Sequence, residues 1–389
     1  MAGLSSQYRI CSRCVMDSSD PNISFDERGV CNHCQKYDEI LATLVYRGAE
    51  AEARLDVILD EIKKNGSSSR YDCIIGLSGG VDSTYVAYKV KQLGLRPLAV
   101  HLDNGWNSEA AVHNIESVIR TLDIDLHTEV LDWEEFRHLQ IAFLRASTPD
   151  SEIPTDHAIM ATLYKIAIKH RVNYIISGSN YVTELMVPSA WSNGHSDWKY
   201  IWSINREFGT RRLKTYPHYT YWKLKIEYAY LRGIRDIQIL NYIDYDKHLA
   251  IEEMEKRIGW RNYGGKHYES IYTRFYQGYL LPIKFGYDKR RSHLSCLINS
   301  GHLTRDQALA ELQRPPLDEE QAKEDCAFVQ KKLGLSEEEF QTILHTPPRR
   351  FQDYPSYDKS QREDLLWRLA LKAMMTARSI GRATGLLAT

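Results

Sequence analysis

Six residues, Ser78-Gly79-Gly80-Val81-Asp82-Ser83, carry the clearest chemistry in the sequence. They follow an apolar run, Cys73-Ile74-Ile75-Gly76-Leu77, and precede Thr84-Tyr85-Val86-Ala87-Tyr88-Lys89-Val90, which reads as a helix. A strand, a glycine-rich turn and a helix N-terminus in that order make an anion site. The two glycines let backbone N–H groups close on phosphate oxygens. The helix dipole adds positive potential, and Ser78 and Ser83 add hydroxyls. Asp82 is the odd member, because a carboxylate beside phosphates is repulsive unless a cation sits between them, usually Mg²⁺. The expectation is a site for the pyrophosphate of ATP over Leu77, Ser78, Gly79, Gly80, Val81, Asp82 and Ser83, with Mg²⁺ on Asp82. It is not a Walker loop, since no Gly-Lys-Ser/Thr follows. The bland alternative is an ordinary glycine-rich strand-to-helix turn.

Other candidates stand at the ends of apolar runs. Pro97-Leu98-Ala99-Val100-His101-Leu102 reads as a buried strand that delivers Asp103, with His101 counted among the ATP-binding residues. Ligands of open α/β sheets bind at the carboxyl ends of strands, so Asp103 is a second candidate for metal or catalysis. Its alternative is a helix cap for the segment near Ser108. Val172 to Ser177 reads as a further strand, delivering Gly178-Ser179-Asn180 and then Glu184. Gly178 and Asn180 are assigned to ATP, and Glu184 to metal or acid–base work, with a solvated helix-face glutamate as its alternative. Asp156 and His157 open a helix and carry the same ambiguity. Later, Tyr263-Gly264-Gly265-Lys266-His267 is assigned to substrate. Lys289, Arg290 and Arg291 stand in a row: Lys289 and Arg290 are assigned to the negative charge that develops on departing pyrophosphate, and Arg291 to substrate. A solvated helix face is the alternative for that run. The aromatic stretch 188–230, with Trp191, Trp198, Trp202, Tyr216, Tyr219, Tyr221 and Trp222, reads as core or lid, or as a surface that stacks a sugar or base.

Cys11-Ser12-Arg13-Cys14 and Cys31-Asn32-His33-Cys34 form two C-x₂-C knuckles. This spacing predicts a closed, structural Zn²⁺ site of Cys11, Cys14, Cys31 and Cys34. An iron–sulfur cluster or free thiols are the alternatives. His33 reads as a neighbour of the site rather than a fifth ligand.

The elements that must position these residues recur as β-α units, which predicts a doubly wound parallel α/β sheet. One long helix is expected over 35–64. The expected division is a zinc module and linking helix over 1–66, the ATP domain with its aromatic insertion over 67–300, and a C-terminal helical region over 301–389. The chain has 389 residues and a net charge of −1, which withholds the basic bias of a nucleic-acid binder. No apolar run approaches the ~20 residues of a membrane span, and the start lacks a secretory segment. No nucleic acid, no membrane and a cytoplasmic location are expected.

The S-G-G-V-D-S loop resembles that of the PP-loop ATP pyrophosphatase superfamily, whose members split ATP into AMP and pyrophosphate to adenylate an oxygen. That resemblance implies a sheet of the adenine nucleotide alpha-hydrolase-like type. Three segments occur together in order: C-S-R-C-V-M-D to V-C-N-H-C, the S-G-G-V-D-S loop, and Y-G-G-K-H-Y-E-S to K-F-G-Y-D-K-R-R-S-H-L-S. Over residues 8–315 the chain resembles the N-acetyl sugar amidotransferases of bacterial O-antigen lipopolysaccharide and flagellin-glycan pathways. The resemblance implies conversion of an acetamido group on a nucleotide-linked sugar to an acetamidino group. Class II glutaminases need an N-terminal cysteine, whereas Met1 is followed here by Ala2. Cys73, Cys296 and Cys326 do not sit in a G-x-C-x-G elbow. Ammonia is therefore expected from a separate glutaminase. The family implies glutaminase and cyclase-like subunits related to those of histidine biosynthesis. A tRNA-modifying thiolase or lysidine-type ligase is the rival reading.

Overall fold

Apolar β-branched runs separated by amphipathic helices give five parallel strands in the order β3-β2-β1-β4-β5. The structure is a computed structural model and describes residues 8–265 and 268–358. Lys266, His267 and residues 359–389 of the expected C-terminal helical region lie outside the described residues.

Helices α1 (Asn32–Leu44) and α2 (Gly48–Gly66) lead into β1 (Cys73–Gly76). The units α3 (Val81–Gln92), β2 (Pro97–Asp103), α4 (Glu109–Leu122) and β3 (Asp125–Val130) build one half of the sheet. After α5 (Trp133–Ala146), α6 (Ile153–His170) crosses back to β4 (Tyr174–Ser177), followed by the short α7 (Tyr181–Glu184) and α8 (Trp198–Phe208). A wide π-type helix over Lys223–Leu231 precedes β5 (Arg235–Gln238) and α9 (Lys247–Ile258). The C-terminal part holds α10 (Ile271–Phe275), a second π-type stretch over Tyr276–Phe285, α11 (Arg290–Asn299), α12 (Arg305–Leu312), α13 (Glu319–Leu333) and α14 (Glu337–His345).

β1 is fully buried through Cys73, Ile74 and Ile75, as a strand covered on both faces must be. α2, α3, α4 and α9 enclose one face through Leu59, Val86, Ile115 and Met254. α6 covers the other through Leu163, Ile166 and Ala167. The order reverses between β1 and β4. That switch point opens a crevice at the strand carboxyl ends, where such sheets bind ligands. The turn after β1 and the turn after β4 flank it.

One sequence expectation needs correction, and one strand was not foreseen. The helix expected over 35–64 is broken at 45–47, where Val45 is extended and Gly48 takes φ +57. Tertiary contacts hold the break: Tyr46 donates its N–H to Asn241 at 3.0 Å and stacks on Tyr242. β5 had no apolar run to announce it. As an edge strand only its Ile237 is buried, so Arg235 and Asp236 face out.

The aromatic stretch is chiefly core. Trp191, Tyr200 and Tyr219 are buried, while Trp202 and Trp222 stay exposed. α8 packs on α5, and the buried Glu135 carboxylate collects the backbone N–H groups of Lys214, Thr215 and Tyr216 at 2.9–3.1 Å. No helix among the described residues is long and apolar enough to cross a membrane.

A bidentate pair ties the C-terminal helices together: Arg274 donates twice to Asp325 at 2.7 Å. The aspartate is buried, so losing its partner strands a charge. Arg274→Met should cost about 3–5 kcal/mol, read as a lower urea midpoint. A loss below ~1 kcal/mol would show that the pair is dispensable.

Candidate functional site

The β1–α3 turn is tight because Gly79 takes φ +82 and its Cα approaches α4. A Cβ there would lie 2.5 Å from the Ala111 carbonyl oxygen. The Gly79 carbonyl accepts from the Trp260 indole at 3.0 Å and the Asn114 amide at 3.1 Å. Locking that carbonyl fixes the orientation of the peptide plane it shares with the Gly80 N–H. Several N–H groups of the turn meet only long contacts within the protein. Ser78 N–H reaches Ser83 Oγ, Gly80 N–H reaches Ser78 Oγ, and Val81 N–H reaches Tyr263 Oη, each at 3.3 Å. Contacts of that length are weak, and phosphate oxygens at a helix N-terminus would replace them at a gain.

Asp82 stands in the first turn of α3 and accepts a short hydrogen bond from the Tyr245 phenol. Burial, and then the Asp82 charge, push the Tyr245 pKa well above its ordinary value. Tyr245 therefore stays protonated and serves as a fixed donor. Glu184, at the end of α7, adds negative potential to the same phenol. Gly178, after β4, packs on the Asp82 backbone, where a Cβ would sit 3.1 Å from its carbonyl carbon. Asn180 is buried and caps α7, accepting from Thr183 N–H at 2.9 Å. His101 braces the start of the turn through Leu77 O at 2.9 Å and Asn107 at 3.0 Å. Asp103 accepts from Gly105 N–H at 2.9 Å. The helix cap weighed for Asp103 is supplied instead by Ser108, which accepts from Ala111 N–H at 3.2 Å.

Loop, Gly178, Glu184 and Tyr263 are therefore brought together, with Tyr263 pushed well above the ordinary tyrosine range by burial and then by Glu269. Gly264, at φ +98, and Gly265 follow Tyr263 in an exposed turn. The cations disperse. Lys289 faces Glu152 at 3.9 Å. Arg290 is held by Asp288 at 2.7 Å and by carbonyls at the end of α12. Arg291 pairs with the buried Asp17 at 2.9 Å and donates to Val15 O.

Sequence reading missed Tyr245, Trp260 and Asn114, which carry no motif. It singled out Asp156 but missed the charged cluster that Asp156 forms with Asp150 and His195 at the start of α6. His195 Nε2 lies 3.3 Å from both Asp150 and Asp156. Burial opposes the imidazolium, but the two carboxylates outweigh it and hold His195 up to about 9. Burial also opposes the Asp150 charge, yet Lys289 and His195 carry its pKa below the usual carboxylate range. Asp156 is half exposed at its rim but sits in a recess dense with protein, and that desolvation raises it to about 6. Asn104 reaches Thr155 at 3.4 Å, which places the start of α6 at the carboxyl end of β2.

The four cysteine sulfurs lie within 4.8 Å of one another, with pairs at 3.7–4.0 Å. Zinc with ~2.3 Å bonds to a thiolate tetrahedron separates sulfurs by ~3.8 Å, so the donor set fits that ion. Backbone N–H groups of Arg13, Cys14 and Cys31 point at Cys11 Sγ at 3.2–3.4 Å, as thiolates require. His33 bonds Asp20 at 2.6 Å and is not among the four donors. The module is docked on the C-terminal helices: Arg305 donates to the carbonyls of Cys11 and Cys14, and Val15 N–H to Ser295.

Two outcomes follow from this geometry. Tyr245→Phe should lower turnover with ATP about 10- to 100-fold by freeing Asp82, with the melting temperature little changed. An unchanged rate would remove Tyr245 from the site. The purified protein should carry one zinc per chain by elemental analysis, and a chelator that strips it should release α1 and α11 to proteolysis. Iron in its place would overturn the assignment.

A family model described as NAD synthase matches residues 50–197. A second, described as LPS biosynthesis protein WbpG-like, C-terminal domain, matches residues 269–373. No curated protein matches the chain. Solved structures similar to it include an NH₃-dependent NAD synthetase from Campylobacter jejuni subsp. jejuni NCTC 11168, in complex with nitrate ion. It is 15% identical, covers 53% of this chain and 94% of that one, and has a TM-score of 0.28. An NMN synthetase from Francisella tularensis is 15% identical over 78% of this chain and 97% of that one, with a TM-score of 0.29. A predicted subunit of tRNA methyltransferase from Methanocaldococcus jannaschii DSM is 18% identical over 46% and 76%, with a TM-score of 0.25. At such TM-scores the superpositions carry no argument. An NAD-synthase model over the α/β part and a WbpG-like lipopolysaccharide-biosynthesis model over the C-terminal part thus meet in one chain, and together they support an ATP-dependent enzyme related to lipopolysaccharide biosynthesis.

Proposed function

We propose that the protein converts the N-acetyl group of a nucleotide-linked sugar into an acetamidino group, at the cost of ATP cleaved to AMP and pyrophosphate. The observation that carries this reading is the joining of an ATP-using PP-loop to a lipopolysaccharide-biosynthesis domain in one chain. An amide is a poor electrophile toward ammonia. The amide oxygen attacks the α-phosphorus of ATP, pyrophosphate leaves and the amide proton is lost, giving an O-adenylyl imidate. Ammonia adds to the imidate carbon and AMP departs with the original oxygen. The outcome is NH in place of O.

The residues contribute positioning and charge stabilisation. Ser78 to Ser83 would hold the β- and γ-phosphates on backbone N–H groups. Asp82, aimed by Tyr245, fits a Mg²⁺ ligand, and the ion when bound neutralises phosphate charge. Glu184 and Asp103 are the carboxylates assigned to the same crevice. Lys289 is the cation assigned to departing pyrophosphate. Arg290 and Arg291 are bound to carboxylates of their own, so their contribution runs through the placement of α11 and of the cysteine module. Ammonia would come from a separate glutaminase with a cyclase-like subunit, and a cytoplasmic location suits both ATP and nucleotide sugars. The rival tRNA-modifying reading has less support, because the cysteines outside the cluster, Cys73, Cys296 and Cys326, are buried in core packing.

The test is incubation with ATP, Mg²⁺, ammonium and UDP-acetamido and UDP-diacetamido sugars. AMP should form together with a sugar lighter by the difference between O and NH, and Asp82→Asn should abolish both. ADP as the product, or sulfur or lysine transfer to tRNA, would refute the reading.

A further inference from the structure

Asp150, Glu152, Asp156, His195 and Lys289 gather at the start of α6. Topology puts this cluster at the carboxyl end of the sheet, the end that carries the PP-loop. Only three residues separate the end of α6 from the start of β4, so α6 runs antiparallel to the strands and begins where they end. It packs across β1, β2 and β4. Asn104, the residue after β2, reaches Thr155 at 3.4 Å. Leu163 packs on Gly76, the last residue of β1. Asp156 lies two helical turns before Leu163, about 10 Å further along the helix toward the crevice side.

The three carboxylates differ in what they have left to offer. Asp150 is buried and accepts from Ser192 at 2.5 Å and from the Glu152 N–H at 3.0 Å. Glu152 accepts from Gln277 at 2.8 Å and faces Lys289 at 3.9 Å. Asp156 meets His195 at 3.3 Å and keeps an exposed rim. His195 is itself fixed. Asp150 lies 3.3 Å from the same Nε2, and the His195 carbonyl accepts from Nδ1 of His157, the neighbour of Asp156, at 2.7 Å. One open carboxylate is thus held against a cation that a buried carboxylate anchors. The groups that face Asp156 are His195, Asp150, Glu152 and Lys289, with the phenols of Tyr216 and Tyr219 behind. Desolvation in the recess lifts Asp156 to about 6, into the range where a carboxylate both takes and returns protons near neutral pH.

The amidination reading calls for such a group. Ammonia adds to the imidate carbon through its lone pair, and the C=N π pair moves to the sugar nitrogen. The adding nitrogen is left positive and the sugar nitrogen negative. One proton must pass between them before a nitrogen lone pair can expel AMP with the C–O electron pair, leaving an amidinium. We propose that Asp156 is the proton shuttle of this step, taking the proton from the adding nitrogen and returning it to the sugar nitrogen, with His195 and Asp150 as its positioning residues. The proposal rests on the amidination reading. The carboxylate is regenerated at the end of the step, and no co-reactant is needed.

The test uses the full chain with ATP, Mg²⁺ and the acetamido sugar that the wild type converts. Two rates are read. Sugar-dependent ATP–pyrophosphate exchange without ammonium reports adenylation alone, and kcat/KM for free ammonia reports its addition. Asp156→Asn should lower kcat/KM for ammonia about 100-fold more than it lowers exchange, with the melting temperature little changed. At fixed free ammonia the wild type should lose rate as pH falls through about 6, because the protonated carboxyl cannot accept a proton. That acid limb should be absent in Asp156→Asn and kept in Asp156→Glu. It should move upward in His195→Gln, where no imidazolium favours the charged carboxylate. Hydroxylamine, whose adduct is acidic enough to lose its proton to water, should restore most of the Asp156→Asn rate. An equal loss of exchange and ammonia addition, or an acid limb that survives Asp156→Asn, overturns the shuttle while the amidination stands. A wild type that forms no acetamidino product overturns both.

Discussion

Much of this structure depends on one carbonyl. The Gly79 oxygen accepts from the Trp260 indole and the Asn114 amide, both buried, so the turn after β1 cannot relax. A buried carbonyl left unpaired would cost about 1–3 kcal/mol, and here two donors from distant segments satisfy it. The same contacts bind α4 and the chain after α9 to the turn. Only a glycine fits, because α4 lies where a side chain would begin. With the carbonyl held, the Gly80 N–H of the same peptide plane is directed the other way, where it makes only a 3.3 Å contact with Ser78 Oγ. The candidate anion site is thus shaped by packing rather than by any charged residue.

The cysteine module shows a second constraint. Its turn-rich segment has little apolar surface of its own, yet Cys11, Cys14, Cys31 and Cys34 are fully buried with Trp191, Met186 and Cys296. The cluster is sheathed by α11 and by the segment that follows α7, and Arg291 and Arg305 bind its backbone. Arg291, which the sequence reading assigned to substrate, is engaged here in holding two parts of the chain together. Guanidinium groups are suited to that role, because a planar fork can serve a carboxylate and several carbonyls at once.

Legibility followed locality. The loop, the helix after it, β1, β2, β4 and the four-cysteine spacing were readable because each is a run of neighbours with a period or a fixed interval. β5 was not, since an edge strand buries one residue and needs no apolar run. The break at 45–47 was not, since it depends on Asn241 and Tyr242. Tyr245 and the Asp150–His195–Asp156 cluster were hidden for the same reason. Their partners lie tens of residues or more away in the chain.

What the sequence determined by itself was therefore a candidate chemistry: a turn suited to phosphate, four thiols spaced to suit a soft metal, and a parallel α/β frame. Those depend on short-range geometry, which residue type and spacing dictate. Only the tertiary structure decided which side chains serve them. Asp82 gained its phenol, and Arg290 and Arg291 were paired with Asp288 and Asp17. The physical reason is that charge and hydrogen-bond partners act over a few ångströms in space, and nothing in chain order records that distance.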